Sequence, residues 1–347
     1  MRKYAWAVSF GLALTAFTAY ISLDTFVLSS AYQTDTSQTN TSMFETLKES
    51  TAESKADTDT SEAEKPQKSG RQHKHGSETA DNDTPSESTE KQTVIPETTV
   101  QDSDNYDNDY DYDYKDENIG IKMTEYYWNN TKIYAADVRL TSAEYLKTAF
   151  ANDTYGKNVT AKTSETAEAN NAVLAVNGDF YGARESGYVI RNGIVYRDTP
   201  SADDLLCIYA DGTMKVVNQY DYSADELVDR GVWQAFAFGP GLVRDGIITV
   251  SESDEVGRAM ASNPRTAIGQ ISENHYLFVV SDGRTSESEG LSLYELAEFM
   301  KSLGAETAYN LDGGGSSTMY FNGVVINNPT SNGRIKERGV SDIVYIG

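Results

Sequence analysis

The chain has 347 residues and a formal net charge of −24 at pH 7, with 29 Lys and Arg against 53 Asp and Glu. That balance argues against nucleic acid and anionic membrane surfaces as partners, since both attract cationic proteins. One cysteine and three histidines supply neither a disulfide framework nor a Cys/His zinc site.

At the N-terminus, Arg2 and Lys3 precede a largely apolar run from Tyr4 to Leu23, which Asp24 closes. About twenty such residues suffice to span a bilayer, and the basic flank keeps the N-terminus cytoplasmic. Residues 1–31 are therefore predicted to be an uncleaved single-pass membrane anchor. The alternative is a signal peptide processed near Ser29-Ser30-Ala31. Both readings place the rest of the chain outside the cytoplasm. The lone Cys207 suits a bacterial cell-envelope protein better than a secreted animal one.

Residues 32–117 are rich in Ser, Thr, Glu, Asp, Lys and Gln and poor in large apolar residues. Such a segment buries too little surface to offset its ordering entropy, so a disordered stalk is predicted. Its end, Tyr106 to Tyr114, alternates Asp and Tyr, which fits a solvated, self-repelling tract.

Residues 118–347 are long enough for one domain with a substantial core. Four turn pairs there are flanked by apolar alternation: Asn192-Gly193, Asp211-Gly212, Asp245-Gly246 and Asn322-Gly323. Asn-Gly and Asp-Gly supply the positive φ angles of tight hairpin turns, so mainly antiparallel β structure is predicted. One stretch differs. The strand Tyr276–Ser281 leads into the polar Asp282-Gly283-Arg284 loop, and Ser292-Leu293-Tyr294-Glu295 then reads as a capping box. Leu293, Leu296, Ala297, Met300 and Leu303 recur at helical spacing, and the apolar Ala305–Leu311 follows as a strand. The expected class is α+β, with a mixed sheet that contains one β-α-β unit. Such a unit places Asp282 and Asp312 on the same carboxyl edge.

The run Asn310-Leu311-Asp312-Gly313-Gly314-Gly315-Ser316-Ser317 carries the most chemistry. Glycines let backbone N–H groups approach a bound group closely, and strand ends commonly hold ligands. No lysine follows the glycines, so a nucleotide-binding P-loop is excluded. No histidine stands ready as the base of a serine hydrolase, because His73 and His75 lie in the stalk and His275 in a polar turn. Carboxylates, arginines, amides and hydroxyls remain. Asp312 and Asp282 are the candidate catalytic pair, since two acids divide a proton-transfer task when their environments separate their pKa values. Arg265 enters an apolar strand and Arg338 precedes the last one, so each is suited to a phosphate or to a structural salt bridge. The amides of Gly313, Gly314 and Gly315 and the hydroxyls of Ser316 and Ser317 complete a candidate phosphate site. A third cluster, Asn177-Gly178-Asp179-Phe180-Tyr181, sits at another strand exit. Asn177 and Asn310 are candidates for contacting sugar hydroxyls or orienting the acids.

Together these motifs resemble the phosphodiester glycosidase family. The matching pieces are Asn177 to Tyr181, Gly239-Pro240-Gly241-Leu242, Asn263 to Gly269, Asp282-Gly283-Arg284, Gly290-Leu291-Ser292, Asn310 to Ser317, and Arg338 with the terminal strand. The resemblance implies hydrolysis between a sugar anomeric carbon and a phosphodiester oxygen, on a sugar such as N-acetylglucosamine, releasing free sugar and a phosphomonoester. It also implies that Asn177, Gly178 and Asp179 line the substrate site, although many relatives carry glycine where this chain has Asp179. Carried to this chain, the expected substrate is a cell-surface glycopolymer rich in carbohydrate or sugar phosphate. Two rivals stand beside it. One is a non-catalytic glycopolymer-binding module on a membrane stalk. The other is a hydrolase whose Asp-rich loops hold Ca²⁺ or Mg²⁺, although the sequence itself requires no cofactor.

Overall fold

The computed structural model describes residues 5–34, 42–51, 112–254 and 262–347. Its centre is an eight-stranded sheet in the order β14-β13-β17-β15-β16-β4-β3-β2. Its strands are β2 (Tyr114–Lys115), β3 (Ile119–Trp128), β4 (Thr131–Leu140), β13 (Gly241–Arg244), β14 (Ile247–Ile248), β15 (Arg265–Ser272), β16 (His275–Ser281) and β17 (Thr307–Asn310). A five-stranded sheet follows the order β19-β18-β7-β22-β5. It comprises β5 (Leu146–Phe150), β7 (Leu174–Asn177), β18 (Met319–Phe321), β19 (Val324–Val325) and β22 (Asp342–Ile346). A second runs β11-β10-β12-β8-β9, from β8 (Val189–Arg191), β9 (Ile194–Arg197), β10 (Asp204–Tyr209), β11 (Met214–Asn218) and β12 (Val232–Phe236). Every pairing is antiparallel.

The two faces of the large sheet follow from the period-two alternation of its strands. Along β16, Tyr276, Phe278 and Val280 point into a core shared with β7, β10, β12 and β22. Leu277 and Val279 point the other way, toward α5 (Leu293–Ser302). Full burial of a side chain such as Phe278 or Val280 is worth roughly 1.5–3 kcal/mol. Two shorter helices cover the smaller sheets: α3 (Thr163–Ala169) against β7 and β22, and α4 (Ala224–Asp229) against β12.

The hairpin signals act as expected. Asn192-Gly193, Asp245-Gly246 and Asn322-Gly323 each place both residues at positive φ, and they close β8–β9, β13–β14 and β18–β19. Asp211-Gly212 closes β10–β11 with only Gly212 at positive φ. The Ser292 hydroxyl accepts from the Glu295 amide (3.1 Å) and the Glu295 carboxylate accepts from the Ser292 amide (2.7 Å), so the capping box starts α5. α5 joins β16 to β17, and both strands pair antiparallel with β15, so they run parallel to one another. They are not neighbours, because the tight turn at Asn274 folds β15 onto β16 first and leaves β15 between them.

At the N-terminus a membrane-spanning anchor finds no support, and the expected stalk is described only at its ends. The anchor segment is a helix, α1 (Ala5–Phe26), yet among the described residues no helix is long and apolar enough to cross a membrane. Most of the expected stalk, residues 52–111, lies outside the described residues. Both of its ends are ordered, however. β1 (Ser30–Thr34) pairs with β6 (Thr154–Lys157), and residues 42–51 form a helix, α2. Phe44 and Leu47 of α2 are buried with Ala143, Ala210 and Trp233, and the Phe44 and Trp233 rings meet edge to face at 5.0 Å. The eight-stranded sheet begins at β2, before the expected boundary at residue 118. A last two-stranded ribbon, β20 (Thr330–Ser331) with β21 (Arg334–Ile335), crosses beside the glycine loop.

Candidate active site

Strand polarity gathers the candidates at one edge of the large sheet. Arg265 pairs with Ser281 and Ala267 with Asn310, so the start of β15 lies beside the ends of β16 and β17. β7 from the neighbouring sheet reaches the same place, where the Asp312 amide donates to Gly178 O (3.2 Å).

Asp312 is the focus. Its Oδ2 accepts from Ser316 Oγ at 2.5 Å and from Arg338 Nη2 at 2.9 Å, and its side chain is 14% exposed. Arg338 also donates to Ser316 Oγ from Nε (3.0 Å), so arginine, serine and acid form one closed unit. Burial pushes the Asp312 carboxyl above its ordinary value of 3.8, and the charge of Arg338 and the bond from Ser316 oppose that rise. Asn177 holds the loop in place. Its Nδ2 donates to Asp312 O (2.5 Å), and its Oδ1 accepts from Thr266 Oγ1 (2.8 Å) and from the Thr318 amide (3.3 Å). Asn177 thereby ties the Asp312 backbone to Thr266 of β15 and to Thr318.

The glycine loop is a compact turn rather than an open nest. The Gly314 amide donates to Pro264 O (2.7 Å), Ser316 N to Gly313 O and Ser317 N to Gly314 O, while the Gly313 amide bonds the Asp312 carboxyl. The expected phosphate contacts through Gly313 and Gly314 are thus already made within the fold. Gly314 has φ +61, and a Cβ there would lie 2.9 Å from Arg284 Nη2. Gly314→Ala is therefore expected to lose about 1–2 kcal/mol and to push the Arg284 guanidinium aside. A melting curve at wild-type temperature would show the turn to be less constrained.

Asp282 differs from expectation. It is buried, its Oδ1 accepts from the Asn328 amide (2.8 Å) and Asn327 Nδ2 (3.3 Å), and its Oδ2 accepts from Asn328 Nδ2 (3.0 Å). Both oxygens are engaged, so the carboxylate fixes the Asn327-Asn328 turn instead of facing a substrate. Asn327 Nδ2 also donates to Ser317 O (3.1 Å), which links that turn to the glycine loop. Asp179 departs further. Buried, it accepts from the amides of Tyr181 (3.0 Å) and Ala237 (3.1 Å) and pairs with Arg191 (3.1 Å). Its side chain is fully enclosed.

Arg191 was not among the sequence candidates. It is fully enclosed, pairs with Asp342 through Nε (2.9 Å) and Nη2 (2.7 Å), donates to Ala235 O, and lies over the Phe236 ring. Asp342 Oδ1 has no hydrogen-bond partner and lies 2.3 Å from where a Cβ on Gly178 would be. Burial raises the Asp342 carboxyl, Arg191 opposes the rise, and nearby Asp179 and Asp312 add to it. Asn310 Nδ2 donates to Gly239 O (2.8 Å), while Asn310 Oδ1, Ser317 Oγ and Thr318 Oγ1 are buried without partners. Buried orphans are uncommon in folded proteins, and three within nine residues mark this loop as unfinished by its own fold. Arg265 is buried, with Nε donating to Leu291 O (2.8 Å). Among the described residues no group of three or more His, Cys, Asp or Glu is placed to hold a metal ion. Cys207 is buried, and His275 bonds Asp137 (2.9 Å) rather than facing solvent as an isolated turn residue.

The phosphodiester glycosidase family model matches residues 170–347, just over half of the chain, and contains the whole of this site. The chain belongs to that family. It is 31% identical over 189 residues to human N-acetylglucosamine-1-phosphodiester alpha-N-acetylglucosaminidase, covering 49% of this chain and 36% of the human protein. Against the SPbeta prophage-derived protein YomE of Bacillus subtilis it is 34% identical over 188 residues, covering 52% of this chain and 28% of YomE. The chain thus spans about a third of the length of these curated relatives. The fold is shared with the solved catalytic domain of the zebrafish glucosaminidase, auto-inhibited by its pro-peptide. That comparison has a TM-score of 0.53 at 21% identity, covering 66% of this chain and 82% of that one. A hypothetical protein from Synechocystis matches with a TM-score of 0.51 at 15% identity, covering 66% of this chain and 62% of that one.

Proposed function

We propose that this family member hydrolyses the bond between a sugar anomeric carbon and a phosphodiester oxygen in a glycopolymer, releasing free sugar and a phosphomonoester. The observation that carries the reading is the closed unit of Asp312, Ser316 and Arg338 at the strand edge. Asp312 acts as the general base. A departing phosphomonoester is already a weak base, with a second pKa near 6, so it needs little help from an acid. The attacking water does need a proton acceptor, and a carboxylate raised toward the working pH by burial serves well. Water then adds to the anomeric carbon, its proton passes to Asp312, and the carbon–oxygen bond to phosphate breaks. Asp282 acts as a positioning residue through Asn327. Phe180, 42% exposed and two residues after Gly178, offers a ring for a sugar.

Because the base must be ionised, activity should rise with pH through the native pKa of Asp312. The acid limb is expected above the ordinary 3.8, in the direction that burial sets. A pH profile of kcat/KM checks this, and a limb at or below 3.8 would remove Asp312 as the base. The reading itself is tested by release of free sugar from a sugar-1-phosphodiester. Binding of glycopolymer without turnover would favour the non-catalytic module.

A further inference from the structure

Three arginines surround the Asp312 loop, and their charges are met differently. Arg338 pairs with Asp312 itself. Arg265 is enclosed in the strand edge. Arg284 is exposed, and its Nε and Nη2 both donate to one neutral oxygen, Asn263 Oδ1, at 3.1 and 2.9 Å. Among the described residues no carboxylate pairs with it. Its backbone is unusual as well, since φ is +62, a left-handed conformation that opposes a Cβ. Strain of this kind persists only where the surroundings impose it, and it collects at functional sites. Here it directs the guanidinium onto Gly314, with Nη2 2.9 Å from where a Cβ would be, two residues beyond Asp312.

We infer that Arg284 determines specificity for the anionic half of the substrate. Its uncompensated guanidinium, held by Asn263 above Gly314, receives a phosphate oxygen and so favours phosphate-linked sugars over neutral glycosides. The inference rests on the reading above for its substrate class, yet it concerns binding and is tested apart from turnover. The guanidinium fork suits phosphate because parallel N–H groups meet paired oxygens, and two of its N–H groups are already fixed in direction by Asn263. Glycine at 314 gives that fork room.

The experiment titrates inorganic phosphate, and separately N-acetylglucosamine, into the full-length chain by calorimetry. Wild type is compared with Arg284→Gly and Arg284→Lys. Glycine relieves the left-handed strain, so the melting temperature of Arg284→Gly should not fall. Phosphate binding should weaken by about tenfold or more in Arg284→Gly and by less in Arg284→Lys, which keeps the charge and loses the fork. Sugar binding should be unchanged in both. Wild type that binds no phosphate, or an Arg284→Gly protein that binds it as tightly as wild type, overturns the inference. Should the glycine variant melt early, full phosphate affinity in Arg284→Lys with a normal melting curve would overturn the role of the fork. Absence of sugar release from a phosphodiester, with phosphate binding still dependent on Arg284, would count against the proposed reaction and leave this inference standing.

Discussion

Asp312→Asn is expected to lower turnover of a sugar-1-phosphodiester by about 10²–10⁴ while the protein stays folded. The amide is nearly isosteric and can still accept from Ser316 and Arg338, so the loop keeps its closing bonds. It cannot take a proton from water. Stability should not fall with activity, and the sign follows from the pKa. Burial raises the folded-state pKa of Asp312 above the ordinary 3.8, so the native state resists its ionisation. Whatever stability that group contributes is present below 3.8 and is lost as pH rises through the folded value. An asparagine does not ionise, so at neutral pH the variant should melt at or above wild type. Turnover and a melting curve on the same preparation check both halves. Near-normal turnover in a folded variant would leave Asp312 as a loop-shaping residue.

Removing Arg191 should have the largest effect on folding. The guanidinium sits between two enclosed carboxylates, Asp179 at 3.1 Å and Asp342 at 2.7 Å. Arg191→Met leaves both acids buried without their cation, and breaking such a pair typically costs about 3–5 kcal/mol. Denaturant unfolding should show that loss at neutral pH. The deficit should shrink in acid, because protonation removes the uncompensated charges. Asp342 joins the group to the site, since its own carbonyl accepts from the Gly178 amide (3.0 Å) and Gly178 O accepts from Asp312. A variant as stable as wild type at neutral pH would show that the triad contributes little to the fold.

Much of the local structure was legible in the sequence, because the signals are local. Asn192-Gly193 and Asn322-Gly323 adopt the positive φ angles that their turns require, and Ser292 with Glu295 starts α5. Asp312 and Arg338 were legible as candidates but not as partners, since 26 residues separate them and only the return of the chain before β22 brings them together. Asp282 misled because an acid at a strand exit looks the same whether it faces substrate or a neighbouring turn. The amides of Asn327 and Asn328 decide that, and nothing in the sequence near Asp282 announces them. Arg191 was hidden for a related reason. It lies in a hairpin arm, where a charged residue ordinarily faces water, and its two acids come from residues 179 and 342. The α2 helix carries only Met43, Phe44 and Leu47 as apolar anchors in a polar tract, too short a pattern to outweigh the composition around it.

The central claim is that water attacks the sugar carbon and not the phosphorus. Hydrolysis of an N-acetylglucosamine-1-phosphodiester by the full-length chain in water enriched in heavy oxygen tests it most directly. A glycosidase cleaves the carbon–oxygen bond, so the label is expected in the anomeric hydroxyl of the released sugar, with an unlabelled phosphomonoester formed in equal amount. Label in the phosphate would mean phosphorus–oxygen cleavage and would contradict the assignment of Asp312 as the base that delivers water to the sugar.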